Sequence, residues 1–442
     1  MKKRISILLT CILMLTLMAS CGGGNNTSNN GSEKSAASGS EPASSDIGDN
    51  KEAPKDASDL LLWLPPFASG GEALDKEFWE KTLAPWAEEN NVNLSIEITP
   101  WGNYEEKYLT GFSSGMGPDV GYMYQEMFND FIEMGALETL EDSFTQEEKD
   151  NYIHFELGNI KGHQYAIPFI VGNARILYCN MDILNQAGVT ELPETWDDLI
   201  EIGKKINDAN IEGVYSFAQE WADPAIGALN NIYYPYLWQA GGDIYNEEGT
   251  KVALTDNDAG VRAAQFLYDL KFTHNILSDE TLSLSGEEIR GLFSQGKVAM
   301  ASMSANRAKD FDDAGINWDF VPSLTDKEKA TWVAADALIV NSASKNKEMA
   351  VELVKYITSA EVMTDFNKEI SPFPPITADE EYNDYDRFKD MYENADYLRT
   401  LPVAENSFKV MDTLYKNLQL MMLGDLTPEE AIQKTVEYSN SI

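Results

Sequence analysis

Aromatic side chains are the main chemical resource of this sequence. Phenylalanine, tyrosine and tryptophan make up 11% of its 442 residues, and nine of them are tryptophans. Sugars present apolar C–H faces ringed by hydroxyl groups, so a sugar site needs flat aromatic surfaces edged by amides and carboxylates. The aromatic residues expected at strand ends or in loops, where they could contact a ligand or pack in the core, are Trp63, Trp101, Tyr124, Trp221 and Trp332. The helical spacing of Trp79, Trp86 and Trp196 favours the core.

Catalytic and metal-binding motifs give no support to an enzyme. Residues 111–115 (GFSSG) have the spacing of a hydrolase nucleophile elbow around Ser113, but a helix is expected before that serine and a strand after it, the reverse of an elbow. The three histidines, His154, His163 and His274, have no metal-ligand spacing. We predict no catalytic residue, no cofactor and no metal ion.

The first residues predict export from the cell. Lys2, Lys3 and Arg4 precede an apolar run at residues 5–18 that is too short to span a bilayer, which indicates a signal peptide over residues 1–20. The sequence LMASC that ends at Cys21 resembles a bacterial lipobox, in which the cysteine is acylated; the alternative is an ordinary cleavage site beside a chance cysteine. Residues 21–58 are rich in Gly, Ser and Asn and predict a flexible tether. We therefore expect a protein anchored by lipid at the extracellular face of the membrane.

Charge and length narrow the possible partners and organisation. The formal net charge of −40 would repel nucleic acid and anionic lipid headgroups, which leaves the lipid anchor as the expected membrane contact. Cys11 leaves with the signal peptide and Cys21 carries the lipid, so Cys179 has no disulfide partner. The remaining chain is longer than one hydrophobic core usually serves, and we expect two domains.

Hydrophobic patterns predict an α/β fold. Strands are expected at residues 60–64, 92–98, 120–124, 176–179, 297–301 and 337–340, with amphipathic helices between them. Strands that alternate with helices favour a mostly parallel sheet. Thr195 and Asp198 have the spacing of a capping box, and Asp256 is expected to cap a later helix.

Five separated segments resemble one family in that family's order. They are residues 117–120 (GPDV), residues 177–182 (LYCNMD) with residues 193–199 (PETWDDL), residues 237–244 (LWQAGGDI), residues 293–300 (FSQGKVAM) and residues 346–350 (NKEMA). They are similar to the extracellular solute-binding proteins of bacterial ABC importers, specifically the carbohydrate-binding family that includes maltose-binding protein. The resemblance covers residues 60–442.

The resemblance implies a two-lobed, type II periplasmic-binding-protein fold. Each lobe would be a mostly parallel sheet flanked by helices, with hinge crossovers joining the lobes. The expected first lobe comprises residues 59–168 and 322–370, and the second comprises residues 169–321 and 371–442. Closure of the lobes on a ligand is the implied motion.

The resemblance also implies a set of ligand-binding residues in the cleft. The first lobe would offer the loop at Phe67 together with Tyr124, Gln125 and Glu126. Asn173 matches a position where related proteins often have a polar or acidic residue that binds the sugar. Trp221 and Trp238 are candidates for stacking in the second lobe, with Trp238 expected in the core. Many members of the family have a Gly-Gly-aromatic turn where this sequence has residues 334–336 (AAD), which end in Asp336. Trp332 is therefore expected to supply the missing aromatic surface. Phe373 lies in a proline-rich segment where the chain is expected to cross between the lobes.

The expected function is capture of an oligosaccharide and its delivery to the permease subunits of an ABC importer, by a monomer that makes and breaks no covalent bond. An anchored glycan-active enzyme and a sensory or adhesive sugar-binding lipoprotein are the alternatives. Shared ancestry does not name the sugar.

Overall fold

The computed structural model describes residues 57–381, 386–393 and 396–442. The predicted signal peptide, Cys21 and nearly all of the predicted tether lie outside the described residues.

Thirteen strands occur in the described residues. In chain order they are β1 (Ser58–Leu64), β2 (Val92–Ile98), β3 (Val120–Met123), β4 (Asn159–Ile160), β5 (His163–Gln164), β6 (Ala166–Gly172), β7 (Arg175–Asn180), β8 (Tyr215–Ala218), β9 (Val298–Ser304), β10 (Trp318–Val321), β11 (Thr331–Trp332), β12 (Ala334–Val340) and β13 (Leu398–Arg399).

Sixteen α-helices occur in the same residues. They are α1 (Glu72–Glu89), α2 (Tyr104–Ser114), α3 (Gln125–Glu133), α4 (Gln146–Asn151), α5 (Met181–Gln186), α6 (Trp196–Ala209), α7 (Leu229–Ile232), α8 (Tyr234–Gln239), α9 (Ala259–Phe272), α10 (Gly286–Ser294), α11 (Ala308–Asp313), α12 (Lys347–Ile357), α13 (Ala360–Glu369), α14 (Asp386–Glu393), α15 (Ser407–Leu423) and α16 (Pro428–Ser439).

Two larger sheets define two lobes. The first sheet has the strand order β2-β1-β3-β12-β6, and the second has the order β10-β7-β9-β8. In the first sheet only β12 runs against its neighbours, and in the second only β7 does. The fold is therefore the predicted α/β fold, in which four of the five strands of the first sheet and three of the four strands of the second run in the same direction.

The two reversed strands follow from how the chain crosses between lobes. β6 ends at the edge where the parallel strands of its sheet also end, and the chain then passes directly into β7 of the second sheet. Because it enters the second sheet from the facing edge, β7 must run against its neighbours. The same happens between β10 and β12. The carboxyl ends of the parallel strands thus face each other across a cleft, the usual ligand position in such sheets.

The first crossing needs unusual backbone conformations. Gly172 has a φ of 100°, and a Cβ there would lie 2.4 Å from Cγ of Pro374. Asn173, with a φ of 43°, occupies the left-handed region that Asn tolerates better than most residues. The chain crosses at residues 173–174, so the predicted lobe boundary after Pro168 falls inside β6.

Several predictions from the sequence are confirmed locally. The hydroxyl of Thr195 accepts from the backbone N–H of Asp198, whose carboxylate accepts from Thr195 in return. Trp79, Trp86 and Trp196 are buried. The helix that Asp256 is predicted to cap begins later, at Ala259, with Asp258 at its N-cap position, and the backbone N–H of Ala259 donates to the side chain of Asn257.

No helix among the described residues is long and apolar enough to cross a membrane.

Replacing Thr195 by alanine is expected to lower the free energy of unfolding by about 1 kcal/mol, because the first turn of α6 loses its capping box. Urea denaturation followed by circular dichroism measures the change. Thr195→Ser retains the hydroxyl and should restore most of the loss. Equal stability of the alanine and serine variants would contradict a capping role.

Candidate functional site

A cavity of about 310 Å³ lies between the two sheets. Its lining comes from both lobes, at the carboxyl ends of the parallel strands and the first residues of the reversed strands. The first-lobe lining includes Phe67, Trp101, Gly102, Glu105, Tyr122, Tyr124, Ile170 and Asp336. The second-lobe lining includes Arg175, Glu220, Asp223, Pro224, Asn230, Asn231, Arg290, Met303, Asn306 and Arg307, and Asn173, Trp332 and Phe373 come from the crossing segments.

The loop after β1 is held in shape by a buried carboxylate. Asp75 on α1 accepts the backbone N–H groups of Phe67 and Ala68, each at 2.9 Å. This fixes the ring of Phe67 at the cavity, where it packs edge-on against Phe373 and Trp101 at centroid distances of 5.8 and 6.1 Å. One wall of the cavity is therefore aromatic and rigid.

Two carboxyl groups of the first lobe are paired with tyrosines. The hydroxyl of Tyr122 donates to Oδ2 of Asp336 at 2.5 Å, and that of Tyr124 donates to Glu105. Burial raises the pKa of Asp336 to about 7, although the Tyr122 bond and the charge of Arg175 both oppose the rise. The pairing between β12 and β6 shifts register at Asp336 and Ala337, and such irregularities commonly redirect a side chain.

Arg175, the first residue of β7, stacks on an aromatic ring. Its guanidinium carbon lies 4.4 Å from the ring centroid of Trp332, a cation–π contact, and its Nη1 donates to the backbone oxygen of Asn173. Thr331 donates to the backbone oxygen of Arg175. The crossing segments thus hold Arg175 and Trp332 against each other at the cavity wall.

The second lobe contributes a pair of acidic residues after β8. The side chain of Asn231 donates to Glu220, and Asp223 accepts the backbone N–H of Gly286 at 3.2 Å, at the start of α10. Burial raises the pKa of both carboxyl groups, and the charge of Asp223 raises that of Glu220 further.

Several buried polar atoms of the lining residues have no hydrogen-bond partner among the described residues. They are Nε of Arg175, Oδ1 of Asn230, Oδ1 of Asn231, Oδ1 of Asn306, Nε1 of Trp332 and Oδ1 of Asp336. A protein interior pairs more than about 90% of its buried polar groups, so such a cluster indicates a site for a polar molecule. A ligand that carries many hydroxyl groups can both donate to these oxygens and accept from these N–H groups.

Two direct contacts join the lobes at the mouth of the cavity. Nη2 of Arg290 on α10 donates to the backbone oxygen of Ser69 in the β1–α1 loop, at 3.0 Å. Gly102 of the first lobe lies against Pro224 of the second, so closely that a Cβ on Gly102 would be 2.9 Å from Cγ of the proline. The lobes are thus closed on each other.

Six of the ten predicted ligand-binding residues line this cavity. They are Phe67, Tyr124, Asn173, Trp332, Asp336 and Phe373. Tyr124 and Asn173 directly follow β3 and β6, Trp332 ends β11, and Asp336 lies near the start of β12, positions that the topology brings to the cleft.

The other four predicted residues do not line the cavity. Gln125 and Glu126 are buried in the first turn of α3, behind the wall. The indole of Trp221 donates to Gln219, and that of Trp238 donates to Asp243, so both rings are held in the core of the second lobe. Trp63, also considered from the sequence, packs under α2 with Lys107 over its ring.

Sequence reasoning missed most of the charged and amide side chains of the lining. Arg175, Glu220, Asn306 and Arg307 come from the second lobe, where attention to tryptophan favoured Trp221 and Trp238 instead. A usable signal existed, because Glu220 follows β8 closely and Asn306 and Arg307 follow β9. The rule that ligands bind at the carboxyl ends of strands would have selected them.

Two sheets that close over a cavity lined from both sides define a two-lobed binding protein. The family model for bacterial extracellular solute-binding proteins matches residues 65–364. The chain belongs to that family.

Individual relatives are distant but cover nearly the whole chain. The arabinooligosaccharide-binding protein of Halalkalibacterium halodurans is 24% identical, with 89% of this chain and 91% of the relative covered. A solute-binding protein of Thermotoga lettingae, solved with α-D-tagatose, superimposes with a TM-score of 0.76 at 23% identity over 87% of this chain and 99% of its own. The GacH receptor of Streptomyces glaucescens, solved unliganded and with acarbose, gives 0.74 at 21% identity over 87% and 98%.

Buried Glu126 is expected to make stability depend on pH. Burial raises its pKa to about 8, well above the ordinary value near 4.5. The folded state therefore keeps this proton where the unfolded state has lost it, and the free energy of unfolding should fall as pH rises from about 4.5 to 8. Glu126→Gln cannot ionise and should be more stable than the parent at pH 8.5 by on the order of 1–2 kcal/mol, with little difference at pH 4.5.

Chemical denaturation across this pH range measures the effect. Exposed Glu77→Gln on α1 is the matched control and should reproduce the parent's profile. A Glu126→Gln profile parallel to that of the parent would show that Glu126 is already ionised in the folded protein.

Adding a methyl group at Gly102 is expected to disfavour lobe closure. The Cβ of Gly102→Ala meets Pro224 only when the lobes are together, and overpacking of this kind costs about 1–3 kcal/mol. Gly227→Ala is the matched control, because Gly227 also lies in a short 3-10 turn at the cavity and its Cβ would meet nothing within 4 Å.

Lobe separation can be measured by double electron–electron resonance between two spin-labelled unnatural amino acids that replace Lys76 and Lys205. The closed population should fall about tenfold in Gly102→Ala and stay unchanged in Gly227→Ala. A Gly102→Ala distribution identical to that of the parent would mean that the two lobes do not approach here in solution.

Proposed function

We propose that this protein captures an oligosaccharide outside the membrane and delivers it to the permease of an ABC importer by closure of its lobes. The observation that carries the proposal is the set of buried N–H groups and oxygen atoms that have no partner in the described part of the chain, around a cavity with aromatic walls. Hydroxyl groups of a sugar can pair with those atoms while its C–H faces contact the aromatic walls.

Supporting arguments come from relatives. The similar proteins include binders of arabinooligosaccharide and galactooligosaccharide and structures solved with acarbose and tagatose. These ligands share a polyhydroxylated ring and differ in size and linkage. Carbohydrate is therefore the ligand class we propose for this chain, acting as a monomer, without a cofactor and without making or breaking covalent bonds.

The N-terminal pattern supports the remaining parts of the proposal. We propose that residues 1–20 direct export and that Cys21 carries a lipid anchor, so the binding lobes stay near the permease at the extracellular face of the membrane. A tether of the composition seen at residues 21–58 would let the lobes reach the permease while staying attached.

Calorimetric titration with mono- to tetrasaccharides of the arabinan, galactan and maltodextrin series tests the function. We expect saturable binding to at least one series, and recovery of the sugar unchanged separates a receptor from a glycan-active enzyme. Trp332→Phe removes an indole N–H that finds no partner in residues 57–381, 386–393 and 396–442, and it should weaken binding about tenfold.

Trp238→Phe is the control for that variant. Trp238 is equally buried but lies outside the cavity, so its loss should leave affinity unchanged even if stability falls. Absence of binding to every sugar tested, or hydrolysis of the bound sugar, would overturn the proposed function.

A further inference from the structure

The segment that brings Phe373 to the cavity has few backbone groups with which to hold its shape. Residues 372–376 (PFPPI) contain three prolines, and proline has no backbone N–H group. Phe373 and Ile376 therefore supply the two backbone donors of this stretch. The partners of these two N–H groups decide how the segment, and the ring that it carries, lies at the cavity.

Both donors bind one pair of buried side chains. The N–H of Phe373 donates to Oδ1 of Asn367 on α13 at 3.2 Å, and the N–H of Ile376 donates to Oε2 of Glu380 at 3.0 Å. Nδ2 of Asn367 donates to Oε1 of Glu380 at 2.5 Å, which joins the two side chains. We call Asn367 and Glu380 the Phe373 clamp.

The bonding pattern of the clamp requires an acceptor on both sides of residue 380. A carboxylate accepts on both oxygens, and here one oxygen binds Ile376 while the other binds Asn367. An amide at position 380 would turn an NH₂ group toward one of these donors. Burial raises the pKa of Glu380 to about 7, so this carboxyl group carries a desolvation cost that an apolar side chain would avoid. The two hydrogen bonds, rather than packing, therefore account for the carboxyl group.

The clamp lies outside the cavity, whereas the ring that it holds lies in the cavity wall. In the described part of the chain, Phe373 is among the lining residues and Asn367 and Glu380 are not. The ring of Phe373 packs edge-on against Phe67 and stacks on Phe366 at a centroid distance of 5.9 Å. The clamp can therefore act on a ligand through this ring.

The start of the segment is held from the second lobe. Nδ2 of Asn306 donates to Oγ of Ser371 at 2.7 Å. Further along, Pro374 lies so close to the first crossing that a Cβ on Gly172 would be 2.4 Å from its Cγ. Phe373 lies between these two restraints, and the clamp supplies the restraint on the backbone of Phe373 itself.

We propose that Asn367 and Glu380 are positioning residues for sugar binding, which fix the ring of Phe373 against the sugar without contacting the sugar themselves. An aromatic ring binds a sugar through a flat C–H face, so a tilt or shift of the ring reduces the contact. This inference rests on the proposed function. It adds two residues that set affinity and the route by which they act.

Glu380→Gln tests the clamp at pH 8, above the pKa of the parent's carboxyl group. The ligand is the sugar that binds the parent most tightly among mono- to tetrasaccharides of the arabinan, galactan and maltodextrin series. Its Kd should rise about tenfold, because the ring of Phe373 loses a restraint. The melting temperature should fall by about 2 °C, because a buried donor loses its acceptor.

The same substitution in a Phe373→Leu background separates positioning from a general structural role. Leucine keeps the backbone N–H that binds Asn367 but has no aromatic ring. In this background Glu380→Gln should again lower the melting temperature by about 2 °C, yet it should change the Kd less than about twofold. A residue that acted on the fold as a whole would change the Kd by the same factor in both backgrounds.

Thr358→Val is the matched control for the loss of a buried hydrogen bond. Thr358 is similarly buried in the first lobe, and its hydroxyl bonds to that of Tyr152 at 2.6 Å. This variant should lower the melting temperature by about 2 °C and leave the Kd unchanged.

The ring can also be observed without a sugar. With 4-fluorophenylalanine in place of Phe373, the fluorine NMR resonance reports on the surroundings of the ring. Glu380→Gln should shift or broaden that resonance, and Thr358→Val should leave it unchanged.

Three results would overturn the positioning role. They are an unchanged Kd in Glu380→Gln, an equal rise of the Kd with and without the ring of Phe373, and an unchanged fluorine resonance in Glu380→Gln. Each of them still leaves a sugar-binding protein. Failure of every arabinan, galactan and maltodextrin sugar to bind the parent would instead overturn the proposed function, and the positioning role with it.

Discussion

Polar atoms enclosed between two lobes must find partners, and this constraint governs the whole cleft. Each lobe alone exposes its strand-end side chains to water, which satisfies them. Closure removes that water, yet Asn230, Asn306, Asp336 and Trp332 retain polar atoms that have no hydrogen-bond partner among the described residues. Leaving such atoms unpaired in the interior is costly, so the closed arrangement favours a molecule that supplies the missing partners. Binding and closure are therefore coupled through hydrogen bonding.

The fold concentrates those atoms at one place. The chain leaves one sheet at the carboxyl ends of its parallel strands and enters the other sheet at the same ends. The carboxyl ends of the two sets of parallel strands therefore face each other, and the reversed strands β7 and β12 begin there. Arg175 and Asp336 reach the cavity as early residues of these strands. The aromatic wall held by Asp75 and the lobe contact of Arg290 with Ser69 limit how the two edges approach. Specificity thus depends on a few short segments carried by rigid sheets.

Electrostatics inside the cleft differ from those of the surface. The chain carries a formal charge of −40, but the carboxyl groups buried in the cleft are held toward the neutral form, with the pKa of Asp336 raised to about 7 and that of Glu220 to about 8. A carboxyl group in its protonated, uncharged form can both donate to and accept from a hydroxyl. This polarity suits the uncharged hydroxyl groups of a sugar, and it makes burial of these groups a source of pH-dependent stability.

The sequence by itself determined the α/β class, six of the thirteen strands in the described residues, the capping box at Thr195 and the solute-binding family, because these follow from local periodicity and from contiguous motifs. It also predicted six cavity residues, chiefly those next to recognisable strands, such as Tyr124 and Asn173. Tertiary structure alone decided that Arg175 joins them and that Trp221 does not. Whether a side chain faces the cleft or the core depends on where distant strands cross and which neighbours satisfy its polar atoms, and neither is written in local spacing.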